Sequence, residues 1–277
     1  MISSCTQIDG AAVASHYDEL DCFYRDVWGD HVHHGLWLRG DETREEAVLQ
    51  FAHLVADRAG AASGVTVCDI GCGYGATARV MAQRRAQVTG ITISPAQAAI
   101  GQRLGENPKI ICGDWLQNNF ASGSFDAAIA IESSEHMPDL GEFFRQAARV
   151  LRPGGKLVVF AWLSSEHPSR TAVRWLLEPI CREGRMAHLS TASEYQTLAE
   201  RVGFGVERSE DITRRVQQTW PAIVRRLVVK FATAPRYLRF LFKPHAKNRI
   251  FALTILRIWI AYRCGAMRYG IITFVRE

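Results

Sequence analysis

The chain has 277 residues, 48% hydrophobic and 22% charged, which is enough for a proper core and for one α/β domain carrying insertions or a cap. No uncharged apolar run approaches the ~20 residues of a membrane span, and the N-terminus has no basic patch followed by an apolar core, so a cytoplasmic protein is expected. Cys5, Cys22, Cys68, Cys72, Cys112, Cys181 and Cys264 are scattered without C-x-x-C or zinc-finger spacing, so neither a disulfide framework nor a structural metal is expected. The formal net charge of +5 hides an asymmetry. Ile212 to Arg276 holds fourteen Lys or Arg and no acid, whereas residues 1–211 hold nineteen basic and twenty-seven acidic groups, a net of −8. Such a basic segment can face an anionic membrane, a phosphate-bearing ligand, nucleic acid or the acidic remainder of the chain.

Residues 1–15 carry nothing that would anchor them and are expected to be mobile. From His16-Tyr17-Asp18 a mixed apolar and acidic stretch leads to Trp28-Gly-Asp30-His-Val-His33-His34-Gly35-Leu-Trp37, dense in imidazole and indole. No two of these histidines stand at i, i+4 spacing, so the reading is a loop or a site cover and no metal site. Ala47, Val48, Phe51, Leu54 and Val55 recur at helical period between Asp41 and Arg58, with acids in the first turn.

Val65 to Cys68 is a short β-branched run ended by Asp69, and Gly71, Gly73 and Gly75 then turn the chain into a helix near Ala76. Glycines there let backbone pass close to a ligand, which the free N–H groups of the helix start would face. The third glycine comes one residue earlier than in the dinucleotide fingerprint G-x-G-x-x-G. The run D-I-G-C-G-Y-G resembles motif I of class I S-adenosylmethionine (SAM)-dependent methyltransferases. That resemblance implies a doubly wound, mostly parallel, Rossmann-like sheet of seven strands. It also implies SAM as cofactor, held by Asp69, Gly71, Gly73 and Gly75.

Gln87 to Ile93 reads as the second strand of a right-handed parallel unit. Nucleotide-binding α/β domains usually carry an acid near this strand end for the ribose, and this chain has Thr92. G-I-T-I-S-P-A-Q resembles the variant of the tocopherol and cyclopropane synthase-like methyltransferases, which implies Thr92, Ser94 and Gln97 as ribose partners. Lys109 to Trp115 is a third strand ending in an acid. Asp114 can accept from the adenine amino group and Trp115 can stack, although a strand-end acid is also a common turn residue.

Ser124 to Ile131 is almost uniformly apolar, as for a strand buried on both faces. It runs into Glu132-Ser-Ser-Glu135-His136-Met-Pro-Asp139, at the sheet edge where ligands sit. Methyl transfer needs a nucleophile held in line and, for phenols or ring carbons, a base, so Glu135 and His136 are the catalytic candidates; Glu135 also suits a helix-entry cap. E-S-x-E-H-M-P-D and the earlier W-G-D-H-x-H-H-G both resemble the tocopherol methyltransferase-like group. By that resemblance Tyr17, Trp37 and Glu132 lie near the cofactor and His34 near the acceptor.

A helix from Gly141 to Val150 ends in L-R-P-G-G and feeds a strand from Lys156 to Trp162. Residues 164–190 read as a lid insertion, 191–211 as a core helix and strand, and 212–264 as a basic helical cap with helices over Val228 to Phe242 and Ile250 to Tyr262. Residues 265–277 close as a seventh strand, antiparallel at the sheet edge. The remaining divisions are 1–60, a helical cover over the cofactor, and 61–163, the SAM-binding core. Trp162 and Trp220 are acceptor-binding candidates. The chain thus reads as a methyltransferase acting on carbon, oxygen or nitrogen of a small, largely apolar phenolic, prenylated or heteroaromatic metabolite, in secondary metabolism. A prenyl diphosphate C-methyltransferase and a SAM- or RNA-binding module are the alternatives, with no nucleic-acid partner expected in the first reading. Peripheral membrane contact through the basic cap is a further partner reading.

Overall fold

The computed structural model describes residues 1–3, 10–19, 25–103, 105–233 and 251–277. In chain order, β1 (Ile2–Ser3) and α1 (Gly10–Glu19) precede α2 (Arg44–Arg58), whose start is fixed by reciprocal capping between Thr43 and Glu46. Strands and helices then alternate: β2 (Thr66–Ile70), α3 (Ala76–Gln83), β3 (Gln87–Thr92), α4 (Pro95–Gln102), β4 (Lys109–Cys112), β5 (Phe125–Ile131), α5 (Leu140–Val150) and β6 (Leu151–Ser164). Arg170–Ala172, a π-helical segment Val173–Leu177 and α6 (Glu178–Glu183) run on without a break, so the expected lid is mainly helical. After β7 (His188–Leu189) come α7 (Ala192–Glu200) and β8 (Phe204–Asp211). The last part holds α8 (Thr213–Val216), α9 (Thr219–Thr233), α10 (Phe251–Arg263) and β9 (Met267–Arg276).

Seven strands form one sheet in the order β4-β3-β2-β5-β6-β9-β8. The first five are parallel, and β9 runs antiparallel to β6 and β8. Successive side chains of a strand point to opposite faces, and both faces are covered. Val67, Ile129, Phe160 and Ile271 pack toward α2, α3 and α10, whereas Cys68, Ala128, Val159 and Phe274 pack toward α5 and α7. In α5 the buried residues Leu140, Phe143, Phe144, Ala147 and Val150 form one helical stripe, so the helix lies flat on the sheet.

Three expectations change. The strand near Tyr269 is antiparallel, but it lies inside the sheet. Its residues are nearly all buried, while β8 at the edge is mostly exposed. The first residues are anchored, because Ile2 and Ser3 pair with Leu189 and His188. Of the expected cap helices, α9 extends to Thr233 and α10 begins at Phe251, and residues 234–250 lie outside the described residues.

Candidate active site

The chain leaves β2 through glycines with φ of +77°, +56° and +75° at Gly71, Gly73 and Gly75, a region that L side chains avoid. A Cβ on Gly71 would stand 2.4 Å from Ser133 Cβ, so glycine is required where the loop after β5 crosses. Nothing lies within 4 Å of a Cβ placed on Gly73, which borders a cavity, so the loop offers bare backbone to a ligand. The loop is pinned by the N–H groups of Gly71 and Cys72, which donate to the Ile91 carbonyl at 2.8 and 3.0 Å. The other walls of this cavity come from the ends of β3, β4 and β5, and Gly10 and Val13 of α1 cover it. On the β3 side, Thr92 Oγ1 donates to Gln97 Oε1 at 2.9 Å. On the β4 side, Asp114 accepts from the Leu116 N–H at 2.9 Å and fixes the turn.

A second cavity adjoins the first. Trp28, Glu135, Trp162, Ile180, Met186, Trp220 and Ile258 line it, and Val32, Glu132 and His136 border both. Glu132 has φ of +49°, uncommon for a side-chain-bearing residue. Its Oε1 accepts from the His34 N–H (2.8 Å), from His34 Nδ1 (2.9 Å) and from the Tyr269 hydroxyl (2.8 Å). Burial pushes this carboxyl up, but the His34 ring and its hydrogen bonds outweigh burial and hold it at about 2, so it is ionised. Glu135 differs. Burial drives its pKa up to about 8, although Oε1 accepts from the Trp162 N–H at 2.6 Å and Oε2 from the Ser134 hydroxyl at 3.0 Å. His136 Nδ1 lies 2.9 Å from the Arg185 carbonyl, which can only accept, so Nδ1 carries the proton and Nε2 is the basic nitrogen. Burial lowers the His136 pKa and keeps the ring neutral near pH 7.

A family model described as a methyltransferase domain matches residues 68–159, the span from the glycine loop to β6. A probable chloroplastic tocopherol O-methyltransferase of Oryza sativa subsp. japonica is 31% identical over 284 residues, covering 94% of this chain and 76% of its own. The chain belongs to the class I SAM-dependent small-molecule methyltransferases. The 27-O-demethylrifamycin SV methyltransferase of Amycolatopsis mediterranei is 31% identical over 216 residues, 75% of this chain and 79% of that one. In fold, the methyltransferase is similar to the cyclopropane synthase MmaA2 of Mycobacterium tuberculosis, with a TM-score of 0.84, 21% identity and coverage of 99% and 100%.

In this methyltransferase Gly71, Gly73, Thr92, Gln97, Asp114, Trp115 and Glu132 all border the first cavity. Other expected cofactor residues do not. Ser94 is fully buried as the cap of α4, accepting from the Gln97 N–H and donating to Asp18. Gly75 packs against Ile110 and opens α3. Asp69 is buried beneath the loop, where desolvation raises its pKa to about 7. Trp37 donates its indole N–H to Thr219 Oγ1 at 3.3 Å, away from both cavities, because its segment packs beside the start of α9. Trp115 borders the cavity, but its indole N–H is used in the core, donating to the Phe143 carbonyl at 3.3 Å. The side chain of Tyr17 lies outside the described residues.

Trp162 and Trp220, the residues expected to bind the acceptor, meet edge to face, 5.6 Å between centroids, and both line the second cavity. His34 lines neither cavity; it sits behind Glu132 and touches both indoles edge-on. His31 and His33 hydrogen-bond to each other at 3.1 Å and His33 to Thr77 at 3.0 Å, and burial lowers their pKa values to about 3 and about 4. Sequence reasoning missed Tyr269, Val32, Met186 and Ile258. For Tyr269 the missing signal was register, since it pairs with Trp162 across β6 and β9.

Gly73→Val should abolish SAM binding in isothermal titration while far-UV circular dichroism is unchanged, because the side chain would fill the cradle and strain a backbone at φ +56°. A second expectation concerns pH. Glu135 is held at about 8 in the fold against 4.5 as a free side chain, so its contribution to stability is complete below about pH 4.5 and is lost as pH rises through 8. Urea unfolding across that range should therefore slope less steeply in Glu135→Gln, with the remaining slope owed partly to Asp69.

Proposed function

We propose that this methyltransferase acts on a carbon, oxygen or nitrogen of a small, largely apolar metabolite of phenolic, prenylated or heteroaromatic type, in secondary metabolism. The observation that carries this reading is that His136, Glu132 and Val32 border both cavities, so an acceptor in the second would meet the cofactor beside a basic nitrogen. SAM supplies a sulfonium methyl that needs little activation. Gly71 and Gly73 would hold its amino-acid end, Thr92 and Gln97 the ribose, and Asp114 the adenine. His136 Nε2 takes the proton that the acceptor loses as the carbon–sulfur bond breaks. Glu135 acts as a positioning residue, holding the Trp162 segment through the backbone.

The lining also bears on the alternatives. Among the described residues no Lys or Arg lines the second cavity, and Glu132 brings a negative charge to it, which disfavours a prenyl diphosphate. A cavity walled by three indoles suits a small planar molecule better than RNA.

A further observation favours peripheral membrane contact. Val224, Val228 and Val229 on α9 and Leu256, Trp259 and Ile260 on α10 are exposed, next to Arg225, Arg226, Lys230 and Arg263. No helix among the described residues is long and apolar enough to cross a membrane. The occupant of this face is an anionic bilayer surface, which complements its charge.

In a screen of phenols and heterocycles for methyl transfer, His136→Ala should lower kcat about 100- to 10,000-fold while SAM affinity is unchanged. The acid limb of the wild-type pH profile should fall below pH 6.5, since burial lowers the His136 pKa from that value, and it should vanish in the variant. A limb at or above 6.5 would assign the base elsewhere. For the membrane face, sedimentation with phosphatidylserine vesicles should retain the protein and phosphatidylcholine vesicles should not, with added salt or Val228→Glu releasing it. Equal partition into both would remove the membrane reading and leave the enzyme reading untouched.

A further inference from the structure

Trp162 and Trp220 both line the second cavity, and their buried indole N–H groups have no hydrogen-bond partner among the described residues. A buried N–H without a partner is costly and rare, and an indole can only donate. Both rings are fixed in place. The Trp162 backbone N–H is held by Glu135 at 2.6 Å, and the start of α9 is held where Thr219 Oγ1 accepts from the Gly35 N–H at 3.0 Å. His34 braces both rings edge-on, with centroids 5.3 and 5.2 Å away. Among the described residues no acceptor meets them, and the nearby Glu132 Oε1 and Glu135 carboxylate oxygens are bonded elsewhere.

We infer that Trp162 and Trp220 form an oxygen-binding subsite of the acceptor cavity, an inference that rests on the reading of that cavity as the acceptor site. The pair selects a planar, neutral molecule bearing a carbonyl, ester or similar oxygen that points at the tryptophan wall while its nucleophilic atom faces His136. Neutrality follows from the surroundings. The ionised Glu132 borders the same space and would repel a carboxylate or phosphate. A site that hydrogen-bonds a substrate oxygen rejects the analogue that lacks it, because the donors are then left unpaired.

The test uses the full chain loaded with S-adenosylhomocysteine and two probes of nearly equal shape, acetylnaphthalene and ethylnaphthalene. Acetylnaphthalene should bind about tenfold tighter. It alone should shift two of the seven tryptophan indole N–H resonances downfield in heteronuclear NMR. Trp162→Phe and Trp220→Phe, which keep an aromatic ring in the wall, should each delete one shifted resonance and lower the preference for the ketone. Equal affinity for the two probes with unshifted indoles would overturn the subsite and leave the acceptor cavity standing. Failure of both probes to bind the loaded protein would remove the acceptor reading together with the subsite.

Discussion

Three donors converge on one oxygen of Glu132, and they come from distant parts of the chain: the backbone and ring of His34 in the N-terminal segment, and the hydroxyl of Tyr269 in the last strand. An ionised carboxylate cannot be buried without such partners, and removing one from a buried charge of this kind costs on the order of 3–5 kcal/mol. The Glu132 backbone is tied as well, its N–H donating to the Phe160 carbonyl of β6 at 2.8 Å. One residue therefore joins the N-terminal cover, the middle of the sheet and its antiparallel strand. Its left-handed backbone is affordable only because these partners over-determine it. The two cavities meet at this residue.

The meeting point follows from the order of the strands. The chain leaves β2 outward through β3 and β4, then returns to β5 on the other side of β2, and that reversal opens a crevice at the carboxyl ends. The loops on its two sides touch directly. Ser133 Oγ donates to the Ile70 carbonyl at 2.6 Å and would lie 2.9 Å from a Cβ on Gly71. The glycine loop and the Glu132–His136 loop are thus one construction, and the two cavities share a wall beside this contact.

Features set by local chemistry were legible in the sequence. The glycine spacing, the apolar run of β5 and the stripe of α5 each lie within one element, and each stands close to where its pattern put it. Features set by register or by a distant partner were not. Ser94 sits beside two cavity residues, yet its hydroxyl is used by the helix it caps, and no periodicity distinguishes a capping serine from a binding one. Trp37 and His34 belong to one cluster, and only packing against α9, α10 and β9 turns both away from the ligand space. The interior place of β9 was hidden for the same reason. Its burial was readable, but antiparallel insertion between β6 and β8 is a property of the whole sheet.

The charge asymmetry has a partial structural account. Several arginines of the basic segment reach back to acids of the rest of the chain: Arg226 to Glu45 at 2.8 Å, Arg268 to Asp211 at 3.7 Å and Arg257 to Glu183. The exposed pairs add little to stability. The pair at Glu183 is different, because that carboxylate is nearly buried and also accepts from the Thr254 hydroxyl at 2.7 Å. Glu183 closes α6, and Thr254 and Arg257 lie on α10, so this cluster joins the two helices that bring Ile180 and Ile258 to the second cavity. An acid at the end of α6 and a base on α10 thus tie together two walls of that cavity. The width of the second cavity is in this way coupled to an electrostatic contact outside it.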